Sequence, residues 1–385
     1  MAAAGILFWL RDAQHHGPAN LQLHSSIPVA TESFAVGTTT QKISAPTTVP
    51  FGDGVEICGV GKLSTESADL EDIQSRLDSG VEKIRRRWIA SMLHSGDLRA
   101  RATGLLYESR MSKDWFRAGP SEEMAGPLVE LAQSAQDPAV YAMAVYACRP
   151  PYGAPPYGGS CDNVSVKEWA ALDTDNAAPW LILASEARLA KDSAAENAAL
   201  AKAANASKID SYGWALLANV EANMPSTATP LERYMLSTGF ISFESAFAQP
   251  SASQSCSAAS MADATVRTEC TALAELMVSK GTTFLDVSVG AAIGARAAWP
   301  AHRVAALKER LDAYRSLMTE QQDPLWPKDQ WTCKAINRAN ARARDWIRFG
   351  EIGALDQELE RSGSTTAELA RKYREFQDEM IRKAQ

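Results

Sequence analysis

Histidine is scarce in this chain: five among 385 residues, three of them (His15, His16 and His24) close to the start. Zinc sites and most acid–base schemes draw on imidazole, so the scarcity starves them of ligands and proton carriers. No His-Glu-x-x-His, Gly-x-Ser-x-Gly or Ser-x-x-Lys occurs, which removes the familiar metalloprotease and serine-nucleophile signatures. No Cys-x-x-Cys pair is present for zinc or dithiol chemistry. An excess of basic residues is also missing. Net charge is -7, with a pI near 5.4, which argues against a general nucleic-acid binder. No catalytic residue, cofactor-binding residue or metal ligand is assigned.

Charge is nevertheless uneven. Residues 83–113 carry eight Lys or Arg against Asp97 and Glu108, whereas residues 114–250 carry sixteen acidic and eight basic residues. Solvated helix faces of opposite average sign account for this more simply than two segments that face each other.

Residues 1–10 form an apolar segment ended by Arg11 and Asp12. It is too short to cross a bilayer, which takes roughly 20 residues. A signal anchor whose start lies upstream, a signal peptide without its basic leader and a merely greasy terminus all fit. No small-residue cleavage site follows, and Trp9 beside a charged flank suits a membrane interface, so a truncated anchor is the expectation. Residues 11–50 are rich in Ser, Thr, Pro and Gln and read as a flexible tether.

Six cysteines are present, Cys58, Cys148, Cys161, Cys256, Cys270 and Cys333. Six allow 15 pairings, but two local ones stand out. Cys148 and Cys161 flank a Pro- and Gly-rich loop that needs a clasp, and Cys256 and Cys270 bracket a Ser- and Ala-rich connection. Cys58 then pairs with Cys333. Bridges point outside the cytoplasm; the alternative is six buried thiols in a cytosolic helical protein.

Two motifs fail on inspection. The Gly-rich stretch around Gly59, Gly61 and Lys62 lacks phosphate-loop spacing, since Glu56 stands where the first glycine belongs and Leu63 follows the lysine. It reads as an irregular segment pinned by Cys58. Asp173 and Asp175 are a tempting carboxylate pair, yet they fit a turn in which Asp supplies local hydrogen bonds. Tyr152 and Tyr157 suit either contacts to a peptide or sugar, or packing of their loop onto its own helices.

Most of the remaining chain has helical periodicity. Leu70, Ile73, Leu77, Val81, Ile84, Trp88 and Met92 share one face. Asp97 starts a helix, Asp137 and Pro138 start another, and Thr365 with Glu368 fits a capping box for the last. Residues 249–260 read as a linker. Gly290 and Gly294 mark a soluble helix with a close packing partner, because Asp286 and Arg296 exclude a membrane reading. The helical regions divide into 51–247 and 248–385.

Between about 169 and 225 the chain repeats itself. Trp180, Leu183 and Ala184 return 34 residues later as Trp214, Leu217 and Ala218. With Leu200 and Ala203 on a second helix, the stretch ALDTDNAAPWLILASEARLAKDSAAENAALAKAANA resembles a tetratricopeptide repeat. It departs from that pattern at Glu196, which stands at a small-residue crossing position, and in lacking the closing proline near Lys208. The chain also resembles uncharacterised helical envelope proteins of proteobacteria. The resemblance implies an all-α fold of helical hairpins stacked in a tetratricopeptide-like array, disulfide-stapled, with a flexible N-terminal tether. It also implies a non-catalytic scaffold that binds an unknown protein or peptide in a periplasmic setting, with polar residues near Ser185 and Asn219 facing the groove. The alternative is a helical-barrel hydrolase or lyase acting on envelope polymers.

Overall fold

The computed structural model describes residues 55–59, 61–63, 82–110, 120, 122–149, 157–241, 248–319 and 332–384. The apolar segment 1–10, the tether 11–50, Tyr152 and the helical pattern from Leu70 to Val81 lie outside them. The described residues belong to one compact unit, Gly54–Gln385.

Helices dominate it, as the periodicity predicts. One departure is a minimal antiparallel hairpin, in which β1 (Val55–Ile57) pairs with β2 (Gly61–Leu63). The stretch expected to be irregular turns at Cys58 and Gly59, and Gly59 has φ +82, a value a side chain tolerates poorly. Cys58 is buried against Leu231 and Ile336 and bonded to Cys333.

Helices α1 (82–93) and α2 (Leu98–Arg110) follow, and the Asp97 carboxylate accepts the Arg99 N–H at 2.8 Å to start α2. After α3 (Glu122–Ala135) comes α4 (Pro138–Cys148), capped by Asp137 through the N–H groups of Ala139 and Val140. Every residue of α4 after the proline is buried. A helix apolar on all sides belongs in the middle of a protein, and α2 and α3 both pack on it. Next come α5 (Val166–Leu172), α6 (Ala177–Leu189), α7 (Ser193–Ala204), α8 (Gly213–Ala222) and α9 (Pro230–Ile241). Helices α6 and α7 form a tight hairpin across a three-residue turn, and α8 packs on α9. The main core joins α2 through α8 with later helices, around Trp169, Leu128, Met143, Leu181 and Leu200.

The expected linker at 249–260 is largely helix instead, α10 (Ala248–Ser255). Its composition favours a loop, but tertiary contacts override that preference. Gln249 donates to Asp286, Ala252 is fully buried, and Ser255 joins Glu196.

Helices α11 (Ala264–Lys280) and α12 (Phe284–Arg296) then pack closely. A Cβ added to Gly290 would lie 2.8 Å from that of Met277, and one on Gly294 would lie 2.3 Å from the Trp299 ring. The close approach expected of this glycine pair is present. The chain ends with α13 (Ala301–Thr319), α14 (Cys333–Ser362) and α15 (Thr366–Ala384), the last started by the Thr365–Glu368 capping box. Helix α14 breaks at Gly350, with φ 71 and ψ 168.

Three disulfides staple the unit: Cys58–Cys333, Cys148–Cys161 and Cys256–Cys270. They are the pairs inferred from spacing. No described helix is long and apolar enough to cross a membrane.

Candidate functional site

The most concentrated polar chemistry lies where the loop before α6 meets the loop before α8. Asn176 caps α6 by accepting the Ala178 N–H, and its side chain also grips Asp210 twice. Its amide donates to the Asp210 carbonyl at 2.7 Å, and its oxygen accepts the Asp210 N–H at 2.9 Å. Asp175 and Lys208 complete a short backbone pairing: the Ala177 N–H donates to the Lys208 carbonyl, and the Ser207 and Lys208 N–H groups donate to that of Asp175. Asn176 and Asp210 stand at equivalent places in the 34-residue recurrence, and both use a side-chain oxygen to hold the N–H two residues on.

Asp173 sits beneath this pairing, buried. It accepts from the Asn176 amide at 2.8 Å and the Tyr212 hydroxyl at 2.6 Å, with the Lys208 ammonium at 2.9 Å. Tyr212 is held in a left-handed conformation, φ 62 and ψ 16, which costs a non-glycine residue about 1 to 3 kcal/mol and persists only where its surroundings fix it. Here the Asp210 carboxylate holds the Tyr212 N–H, Asp173 holds its hydroxyl, and the Tyr146 hydroxyl donates to the Ser211 carbonyl. Burial, then the Asp173 bond, pushes the Tyr212 phenol up, and burial raises the Asp210 carboxyl. At the start of α4, burial opposes ionisation of Asp137. The Arg99 guanidinium at 2.8 Å and the Ala139 N–H outweigh it and hold that carboxyl below its ordinary value.

Such saturation decides the chemistry. A general base needs a lone pair facing substrate, whereas Asp173 already has three partners. Asp175 is exposed, so the two carboxylates do not converge on one space. The turn reading of this pair holds.

The repeat anchors occupy unequal surroundings. Ala184 and Leu217 are buried, while Trp180, Leu183, Trp214 and Ala218 are half-buried. Trp180 donates to the Thr174 carbonyl at 3.3 Å. The equivalent acceptor for Trp214 is the Lys208 carbonyl, which Ala177 occupies. The Trp214 indole N–H finds no acceptor among the described residues, and its ring packs against Trp346 at 5.6 Å.

Ser185 and Asn219, expected to face a groove, are half-buried and bonded to neighbouring side chains. Ser185 accepts from Arg188, which also reaches Gln254 and Ser255 on α10, and Asn219 donates to Thr103 on α2. Helix α2 packs on α8, and α10 on α6. Glu196, the departure from the repeat pattern, serves this same contact by pairing with Arg188 and accepting from Ser255. Tyr157 packs on the main core, in line with loop packing.

Two carboxyls escaped sequence reasoning. Asp286 and Glu351, 65 positions apart in the chain, accept from the adjacent N–H groups of Thr283 and Phe284 at the start of α12, with no shared motif to mark them. The Phe284 N–H donates to Glu351 at 2.7 Å, and Asp286 accepts the Thr283 N–H and the Gln249 amide. Burial pushes the Glu351 carboxyl up to about 7, with the Asp286 charge adding to it, and burial raises Asp286 too. No group of three or more His, Cys, Asp or Glu suited to a metal ion occurs among the described residues.

No family model, curated protein or solved structure matches the chain. The fold and bridges define its class, a predominantly helical, disulfide-stapled protein. Three disulfides indicate an oxidising, extracytoplasmic compartment.

Proposed function

We propose that the chain is a non-catalytic helical-repeat scaffold of the cell envelope that binds a protein or peptide. The supporting observation is the Asn176–Asp210 pairing, which ties the starts of α6 and α8 together at the interval of a tetratricopeptide-like repeat. In this reading the unit works in the periplasm, and residues 1–10 tether it to the inner membrane. Because Ser185 and Asn219 are engaged by Arg188 and Thr103, the binding surface in this reading is the outer face of the α6–α7 hairpin. That face exposes Ala194, Asn197 and Leu189, whose exposure of 63% is the largest among the large apolar residues described.

A photo-crosslinking residue placed at Leu189 or Asn197 of the full chain in its native cell tests this. The expected result is a discrete cross-linked species from these positions and none from Lys372 on α15. Equal or absent cross-linking at all three positions rejects the hairpin face as the binding surface.

A further inference from the structure

Helix α14 is interrupted at Gly350, and the interruption serves a specific contact. The positive φ suits glycine, and a Cβ there would press within 3.3 Å of the Thr282 carbonyl. Past the break, the Glu351 and Ile352 N–H groups donate to that carbonyl at 2.9 and 3.3 Å. The Glu351 carboxylate in return accepts the Phe284 N–H, the first of α12. Two helix starts therefore cap each other, and each would be left with buried, unmet N–H groups if they parted.

The reciprocal cap brings two acids to one place. Asp286 is buried, within the capping box of α12. Gln249 of α10 meets it with an amide donor, and the other atom of that amide, Oε1, is buried without a donor among the described residues. The cations nearby are engaged elsewhere. Arg342 of α14 exerts some attraction on Glu351 but donates to both oxygens of Glu358. From α13, Arg315 lies over the Phe284 ring and pairs with Asp312, and Arg310 pairs with Asp356. Lys280, at the end of α11, is exposed. Asp286 is buried and Glu351 half-buried, and with no dedicated cation among the described residues two like charges there repel each other.

We propose that the Glu351–Asp286 junction is a proton-operated hinge: a proton on Glu351 keeps α12 and the second half of α14 together, and its loss, beside the Asp286 carboxyl, loosens them at Gly350. The segment 351–362 carries Leu355, which packs with Val287, Leu311 and Tyr314, so loosening reaches the contacts among α12, α13 and α14. The raised value near 7 for Glu351 fits this geometry. The sign follows from linkage. A carboxyl held above its unfolded value gives stability that is complete below about 4.5, fades as pH rises, and is lost above about 7.

The test is hydrogen exchange of the full chain at pH 5.5, 6.5, 7.5 and 8.5, corrected for intrinsic rates, with Glu351→Gln compared at each pH. Glutamine keeps an acceptor for Phe284 and carries no charge. Protection of peptides covering 282–287 and 351–356 should fall in the wild type at least tenfold more than in E351Q between pH 5.5 and 8.5, while α4 peptides change alike in both. Parallel profiles for the two proteins overturn the proposal. Should E351Q fail to fold, the wild type decides: its denaturation midpoint in guanidinium must fall from pH 5 to 8, and a flat or rising midpoint overturns the proposal.

Discussion

Removing the long disulfide should cost this protein more than removing either short one. The Cys58–Cys333 bridge closes a separation of 275 residues, against 13 for Cys148–Cys161 and 14 for Cys256–Cys270. If a bridge acts mainly by restricting the unfolded chain, loop-closure entropy gives about 5.5 kcal/mol for the long loop and about 3 kcal/mol for each short one at 25 °C. Three double alanine variants, one per bridge, compared by guanidinium denaturation with circular dichroism, measure the order. Side-chain truncation does not create it. Cys333 is half-buried whereas the four cysteines of the short bridges are fully buried, so lost packing weighs more heavily on the short-bridge variants. The competing physics is local. Cys58 sits in a small cluster with Leu231 and Ile336, and once unbridged the β1–β2 hairpin is free to detach without unfolding the helices. A long-bridge variant no less stable than the short-bridge variants would refute the entropic reasoning and mark the hairpin as held only by its covalent link.

Other substitutions probe particular contacts. Asn176→Ala removes a helix cap, two bonds to Asp210 and one to Asp173, so a loss of about 2 to 4 kcal/mol is expected by denaturant unfolding; a loss below 1 kcal/mol would show that the loop pairing does not hold the two helix starts. Gly294→Ala drives a methyl into the Trp299 ring, an overpacking expected to cost about 1 to 3 kcal/mol and to shift Trp emission. Unchanged stability and emission there would mean that Trp299 has room to move.

Local chemistry was readable before the fold was known. Asp97, Asp137 with Pro138, and Thr365 with Glu368 cap helices because a short side-chain acceptor beside unmet N–H groups needs no distant partner. Cysteine spacing carried the bridges for a similar reason, since two pairs are close in sequence and the third follows by elimination. Features set by distant contacts were not readable. Residues 249–255 look like linker and become most of α10 because Gln249 and Ser255 find Asp286 and Glu196. The stretch around Gly59 becomes a hairpin, and nothing around Gly350 announces a break that exists to bring Glu351 to α12.

The repeat shows where that limit falls within one motif. Periodicity picks out Trp180 and Trp214 as equivalent, since both follow an Asx turn by a fixed interval. Their indoles nevertheless differ: the Trp180 N–H reaches the Thr174 carbonyl, whereas at the equivalent place the Lys208 carbonyl takes the Ala177 N–H and Trp214 packs on Trp346 of α14. A recurrence in sequence fixes which residues anchor a helix. The partners they find depend on what stands next in space, and here that is α2, α10 and α14 rather than further copies of the same hairpin. In the reading proposed above, a partner of the α6–α7 hairpin docks on its outer face, where Leu189 and Asn197 are exposed.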